Sequence, residues 1–192
     1  MISQSELKYS RVIKKAEELF LKLGYKATSM DQIAEEAGVS KMTIYKYFPS
    51  KEELFIQIIL SIMNRYFNDM KNEIDKIEGT LNRIDFLLNF GMEHSKQYSM
   101  ALYKDIFDNP YIYEKLMEEK KRMARIIFED IVREGVNKGE IRNIDEAFIA
   151  NILIALIKGI DKEIFDDINS NKELEDFTEK LYDFLKYGLL GR

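Results

Sequence analysis

The sequence predicts an all-α fold of about nine helices, in which a small N-terminal domain precedes a larger helical one. Three observations predict it. Apolar residues recur at three- and four-residue steps along most of the chain; no segment shows the strict alternation of a half-buried strand; and only two prolines, Pro49 and Pro110, interrupt 192 residues. With 46% hydrophobic and 33% charged residues the composition is that of a globular chain able to bury a sizeable core.

The elements follow in order. From Ser5 to Leu23 the apolar positions Leu7, Ile13, Ala16, Phe20 and Leu23 share a helical face, and Gly24 stops the helix. Thr28 and Ser29 offer N-caps to a second helix with Met30, Ile33, Ala34 and Ala37 on one face, ended by Gly38. Ser40 caps a third running to about Tyr47. After Phe48-Pro49, the run SKEE from Ser50 reads as a capping box opening a long fourth helix to about Asp75, roughly 38 Å at 1.5 Å per residue. A helix at 81–96 follows Gly79, then a less regular stretch from Tyr98 to the breaker Asp108-Asn109-Pro110. Further helices are expected at 112–137, at 146–166 behind the cap Asp145, and at 173–187. There is no internal repeat and no low-complexity linker. A domain boundary is expected between residues 50 and 51, giving domains 1–50 and 51–192.

Several chemistries are excluded or disfavoured at once. There is no cysteine, hence no disulfide and no thiolate metal site, and with His94 the sole histidine no metal site and no cofactor is expected. No phosphate loop and no nucleophile–histidine pairing occurs, and the carboxylate pairs Glu118-Glu119 and Asp166-Asp167 read as solvated helix faces, so the chain is not expected to be an enzyme. The stretch Met1 to Arg11 lacks the apolar core of a signal peptide, and the longest apolar run, Ala147 to Ile157, falls short of the ~20 residues of a membrane span, so a soluble, cytoplasmic protein with no membrane partner is expected.

The charge is unevenly spread. The net charge is -5, yet the first 51 residues carry nine basic and six acidic side chains, +3, against 20 basic and 28 acidic in the remainder, -8. The basic end is where phosphates can be met.

That end contains TSMDQIAEEAGVSKMTIYKYF, Thr28 to Phe48. Two helices crossing near a right angle need a small residue at the crossing, a turn residue tolerant of positive φ and apolar residues facing inward from both. Ala34, Gly38 and the set Ile33, Ala37, Val39 and Ile44 supply these, which defines a helix-turn-helix. Lys41, Met42, Thr43, Tyr45, Lys46 and Tyr47 are left outward. These side chains suit a major groove: lysine donates to guanine acceptors, threonine and methionine meet a thymine methyl, and tyrosine reaches phosphate. The plainer alternative is a three-helix corner with a solvated face, which two exposed tyrosines beside two lysines argue against.

The run GVSKMTIYKYFPSKEEL, preceded by ATSMDQIAEEA and by a helix ending in LFLKLGYKATSM, resembles the DNA-binding domain of TetR-family transcriptional regulators over about Ser10 to Leu54. Beyond Leu54 only length and helical layout agree. The resemblance implies that Thr28 and Ser29 hold phosphate, that Lys41, Met42 and Thr43 face base edges, that Tyr45 and Tyr47 reach phosphate or a thymine methyl, that Lys46 takes either role, and that Lys51 clamps a phosphate. Where some members carry a base-reading basic residue in the second helix, this chain has Asp31.

The helix from Glu146 to Asp166 is apolar nearly all round, and Ala155 and Gly159 would admit a second helix closely. By itself this is a central core helix. The resemblance instead implies a homodimer through the last two helices, with Ile152, Ala155, Leu156, Gly159, Phe177, Leu181 and Phe184 at the interface. It also implies a pseudo-palindromic double-stranded DNA operator, its half-sites in grooves ~34 Å apart. The middle helices are rich in Phe, Tyr and Met, and such residues are more often plain core than a ligand cage. The resemblance implies an effector cavity there, for which Tyr66, Phe67, Phe86, Phe90, His94, Tyr103, Phe107, Met123 and Phe128 are candidates, with a largely apolar small molecule as effector. The function so implied is a dimeric repressor released from its operator by an effector. The alternative is an effector-independent architectural or cell-cycle DNA-binding protein on the same fold.

Overall fold

The computed structural model describes residues 3–95, 98–143, 145, 147–149, 151–152, 155 and 168–184. These residues form helices and no strand: α1 (Gln4–Leu23), α2 (Met30–Ala37), α3 (Lys41–Tyr45), α4 (Lys51–Ile74), α5 (Thr80–Ser95), α6 (Met100–Phe107), α7 (Pro110–Asn137) and α8 (Asn171–Asp183), with 147–149, 151–152 and 155 also helical. Among the described residues no helix is long and apolar enough to cross a membrane.

Serine starts most of these helices. Ser3 caps α1 in a full capping box with Glu6, two residues before the expected start. Of the two caps offered to α2, Ser29 takes the place, accepting from the Gln32 N–H at 3.1 Å. Ser40 caps α3, and the Ser50 hydroxyl accepts from the Glu53 N–H at 3.1 Å at the head of α4. The stretch after Tyr98, expected to be irregular, is the helix α6, capped by Ser99. It is only eight residues long, so few turns were available to show a period.

The chain forms two compact units: residues up to Met63 with Tyr98–Met117, and Asn64–Gln97 with the chain from Glu118 onward. In the first, Val12, Ala16, Phe20, Ile33, Ala34, Ala37, Ile44 and Phe48 of the N-terminal helices share one core with Leu54, Phe55 and Ile58 of α4, Leu102 of α6 and Ile112 and Leu116 of α7. Phe55 packs edge-on against Phe20, ring centroids 5.0 Å apart. Residues beyond the expected boundary at residue 50 therefore help to build the unit that holds the helix-turn-helix.

In the second unit Met70 and Ile74 of α4 pack with Ile127 and Ile131 of α7, flanked by half-buried Tyr66, Phe67, Phe86 and Phe90. One close joint locks it. The carboxylate of Glu140 accepts from both the N–H and the hydroxyl of Thr80, each at 2.6 Å, which caps α5. These bonds hold the Glu140 pKa below the ordinary value. Arg83 pairs with Glu134 beside it, and Gly135 leaves room for Thr80, whose Oγ1 would lie 2.5 Å from an added Cβ.

Candidate nucleic-acid interface

The turn between α2 and α3 is made as its residue types require. Gly38 adopts the left-handed conformation, φ 63 and ψ 44, and the Val39 N–H donates to the Ala34 carbonyl at 3.0 Å. Ile33, Ala34, Ala37 and Ile44 are buried between the two helices, and Val39 packs at the edge. With the inward set fixed, the outward face of α3 follows from helix geometry. Met42 is 71% and Tyr45 41% exposed, and Lys41 and Lys46 are also open to solvent. An exposed methionine between a lysine and a tyrosine is unfavourable to leave in water and suits contact with base edges.

Two other side chains are oriented by neighbours. Thr43 is half-buried, its hydroxyl 2.8 Å from that of Ser40. The Lys41 ammonium donates to Asp31 at 2.8 Å, and this bond raises the lysine pKa. Asp31, where the sequence departs from the basic pattern, thus holds the Lys41 side chain and offsets part of its charge.

Three of the expected phosphate contacts have other partners. Thr28 is 1% exposed, and its hydroxyl donates to the Gly24 carbonyl at 2.8 Å, closing the end of α1. The Lys51 ammonium is part-buried over the Tyr25 ring and donates to the carbonyls of Tyr25 and Thr28 at 2.8 and 2.9 Å. Burial lowers the Lys51 pKa and, as the largest cause, pushes that of Tyr25 up to about 12. Lys51 thus ties the loop before α2 to the head of α4. The Tyr47 hydroxyl lies 2.6 Å from that of Ser5, and its ring packs edge-on against Tyr9, so Tyr47 anchors the start of α1 to the end of the motif. Ser29 stays exposed at the head of α2.

Sequence reasoning missed a latch in this unit. Asp105 of α6 is 7% exposed and accepts from the Lys26 N–H at 2.9 Å; the Lys26 ammonium donates to Asp108 at 2.6 Å. Gly24, at φ 85, brings the backbone against Asp105, whose Oδ2 would meet a Cβ at 2.6 Å. The α1–α2 loop is thereby bonded to α6. A buried aspartate on the otherwise apolar face of MALYKDIF was the available signal.

Elsewhere the candidates divide. Tyr66, Phe67, Phe86 and Phe90 gather in the second unit, with Tyr66 and Phe86 each about 5 Å from Phe90 between ring centroids. In α7 Met123 is buried and Phe128 half-buried. Tyr103 and Phe107 belong to the first unit, where they pack on Tyr98 and Tyr113. The His94 side chain lies outside the described residues. Of the expected interface, Ile152, Ala155 and Phe184 are exposed and Phe177 half-buried, while Leu156, Gly159 and the Leu181 side chain lie outside the described residues.

A paired-helix motif with its inward face packed and a basic, apolar-tipped second helix turned outward defines a DNA-binding helix-turn-helix protein. Residues 12–58 match the family described as bacterial regulatory proteins, tetR family. The N-terminal helices of this chain thus carry a DNA-binding domain of the tetR-family type. Among its relatives is an uncharacterized HTH-type transcriptional regulator, YhgD, of Bacillus subtilis, 25% identical over 154 residues, covering 76% of this chain and 78% of that protein. Another is the nucleoid occlusion factor SlmA of Shewanella loihica, 28% identical over 168 residues and 83% of each chain. The crystal structure of the transcriptional regulator FadR from Bacillus subtilis in complex with stearoyl-CoA shares the fold, with a TM-score of 0.66 at 20% identity over 94% of this chain and 98% of that one.

Proposed function

We propose that this protein is a dimeric repressor, not an enzyme, that binds a pseudo-palindromic operator through the outward face of α3 and leaves it when a small molecule binds the second unit. The carrying observation is that outward face: Lys41, Met42, Tyr45 and Lys46 stand exposed on a helix whose opposite side is fully packed. Lys41, Met42 and Thr43 read base edges; Ser29, Tyr45 and Lys46 hold phosphate. Thr28, Tyr47 and Lys51 act by positioning these elements.

Dimerisation is supported by apolar side chains left in water near the end of the chain, Phe148 at 57%, Ile152 at 42% and Phe184 at 54% exposure. Two copies place two recognition helices in successive grooves, which compensates for a first segment whose net charge is only +3. Effector control is supported by the half-buried aromatic cluster of the second unit and by the relative FadR, whose crystal structure holds stearoyl-CoA. An effector that prefers a state with misplaced recognition helices lowers operator affinity by that preference. The effector-independent reading draws on the relative named as a nucleoid occlusion factor.

Binding-site selection from random duplexes tests the proposal. Enrichment of an inverted repeat, together with a dimeric mass in sedimentation, is expected; a monomer that enriches no sequence contradicts it. A cellular metabolite extract that lowers affinity for the selected duplex separates the effector-controlled reading from the effector-independent one.

A further inference from the structure

The head of α2 and the amino end of α3 meet at one polar contact. Asp31, in the first turn of α2, accepts through Oδ2 from the Lys41 ammonium at 2.8 Å. Ser29 already caps α2 by accepting from the Gln32 N–H, so the Asp31 carboxylate is not needed at that cap and turns to α3 instead. Lys41 opens α3, at the end of the helix assigned above to base edges. Both partners are open to solvent, the Asp31 side chain at 74% and that of Lys41 at 45% exposure.

The two side chains therefore present a donor and an acceptor next to each other. A carboxylate held 2.8 Å from a base-reading ammonium enters the groove with it. Phosphates repel a carboxylate, and the major groove offers it only two kinds of donor, the amino groups at cytosine N4 and adenine N6. Within a G·C pair, guanine O6 and the cytosine N4 amino group are themselves hydrogen-bonded, about 2.9 Å apart. The donor–acceptor spacing on the protein thus matches the acceptor–donor spacing on the edge of this base pair. An A·T pair also sets an acceptor, thymine O4, beside the donor at N6. There the ammonium meets one acceptor flanked by a methyl group, whereas guanine gives it two, O6 and N7.

We propose that Asp31 and Lys41 read one G·C base pair of each half-site as a unit. Lys41 donates to guanine O6 and N7, and Asp31 accepts from the cytosine N4 amino group. This rests on the reading of α3 as the recognition helix and names a base pair that it selects.

Binding-site selection from random duplexes, with full-length wild type and Asp31→Ala, tests this. The wild type is expected to enrich an inverted repeat with a G·C pair in fixed orientation at one position of each half-site. Asp31→Ala is expected to enrich the same repeat with that position relaxed, because Lys41 alone meets acceptors on more than one base. Replacing the cytosine at that position of one half-site by pyrimidin-2-one, which lacks the 4-amino group, should weaken wild-type binding about tenfold and Asp31→Ala binding by less than about twofold. The variant should melt close to the wild type, since an ion pair this exposed adds little to stability. An unchanged base preference in Asp31→Ala would overturn the proposal. So would tighter binding to all sequences alike, the result expected of an aspartate that only offsets the charge of Lys41. An A·T pair at the position that Asp31→Ala relaxes would overturn the G·C assignment. A wild type that enriches no repeat would overturn both this proposal and the reading of α3 on which it rests.

Discussion

The two units of this chain differ in how their cores are closed and tied together. In the first, helix starts are serine-capped, the buried Thr28 and Asp105 have hydrogen-bond partners, and Lys51 directs its charge at two backbone carbonyls. In the second, four aromatic rings are only half-buried and large apolar side chains near the C-terminal end face water. A unit whose buried polar groups are bonded between its helices and loops holds one shape, as a surface that must match base edges has to. The other leaves aromatic and apolar surface for further molecules to cover, as a sensing and assembling unit requires.

The largest test of this contrast is truncation of a ring in each unit. Phe20→Ala, in the closed core of the first, should cost about 3–5 kcal/mol in denaturant unfolding and abolish DNA binding. Phe86→Ala, at a half-buried ring, should cost less than about 2 kcal/mol. Equal losses would break the comparison.

Next in size is Lys51→Met, which leaves the carbonyls of Tyr25 and Thr28 without their donor and should cost about 1.5–3 kcal/mol in thermal or denaturant unfolding. Its salt dependence of DNA binding should match the wild type, whereas Lys46→Ala should lower the slope of log affinity against log salt by about one. A lowered slope in Lys51→Met would return this lysine to the phosphate contacts.

Gly135→Ala sharpens the comparison from the other side, because the Thr80 joint is a tightly built place in the second unit. The added Cβ would meet Thr80 Oγ1 at 2.5 Å and Ile141 Cδ1 at 2.8 Å, and should cost about 1–3 kcal/mol with no change in the sequence preferred on DNA.

The smallest effect is one of pH. The Glu140 pKa is depressed in the folded protein, so its contribution is fully present above the ordinary glutamate value of about 4.3 and is lost as pH falls through the lower folded value. Glu140→Gln should flatten the acid limb of a melting-temperature profile; an unchanged profile would show that Glu140 adds nothing to the joint.

What the sequence made legible was what depends on local chemistry. The periods of α1, α2, α4 and α7, the turn at Gly38 and the outward set on α3 follow from residue spacing and capping within a few positions. The bonds made by Thr28, Tyr47 and Lys51 were not legible because their partners are remote in sequence or turned inward: Lys51 reaches back 26 and 23 residues, and Tyr47 reaches Ser5 across 42. Each is a polar residue in a basic, DNA-facing segment, and nothing in residue type tells a hydroxyl or ammonium that meets a carbonyl from one that meets a phosphate. Likewise Tyr103 and Phe107 share their composition with the rings of the second unit but pack in the first, since α6 returns to the unit that the chain left at Met63.

The central claim is that the amino end and outward face of α3 read sequence while the rest of the first unit only holds them. It is tested most directly by repeating binding-site selection with the double variant Lys41→Ala, Met42→Ala, both positions being exposed and outside the packed core. The variant should melt as the wild type does and keep the spacing of the half-sites. Its discrimination at specific base pairs of each half-site should fall by about 1–3 kcal/mol for every base edge that the two side chains read. Recovery of the wild-type sequence at wild-type affinity would contradict the claim.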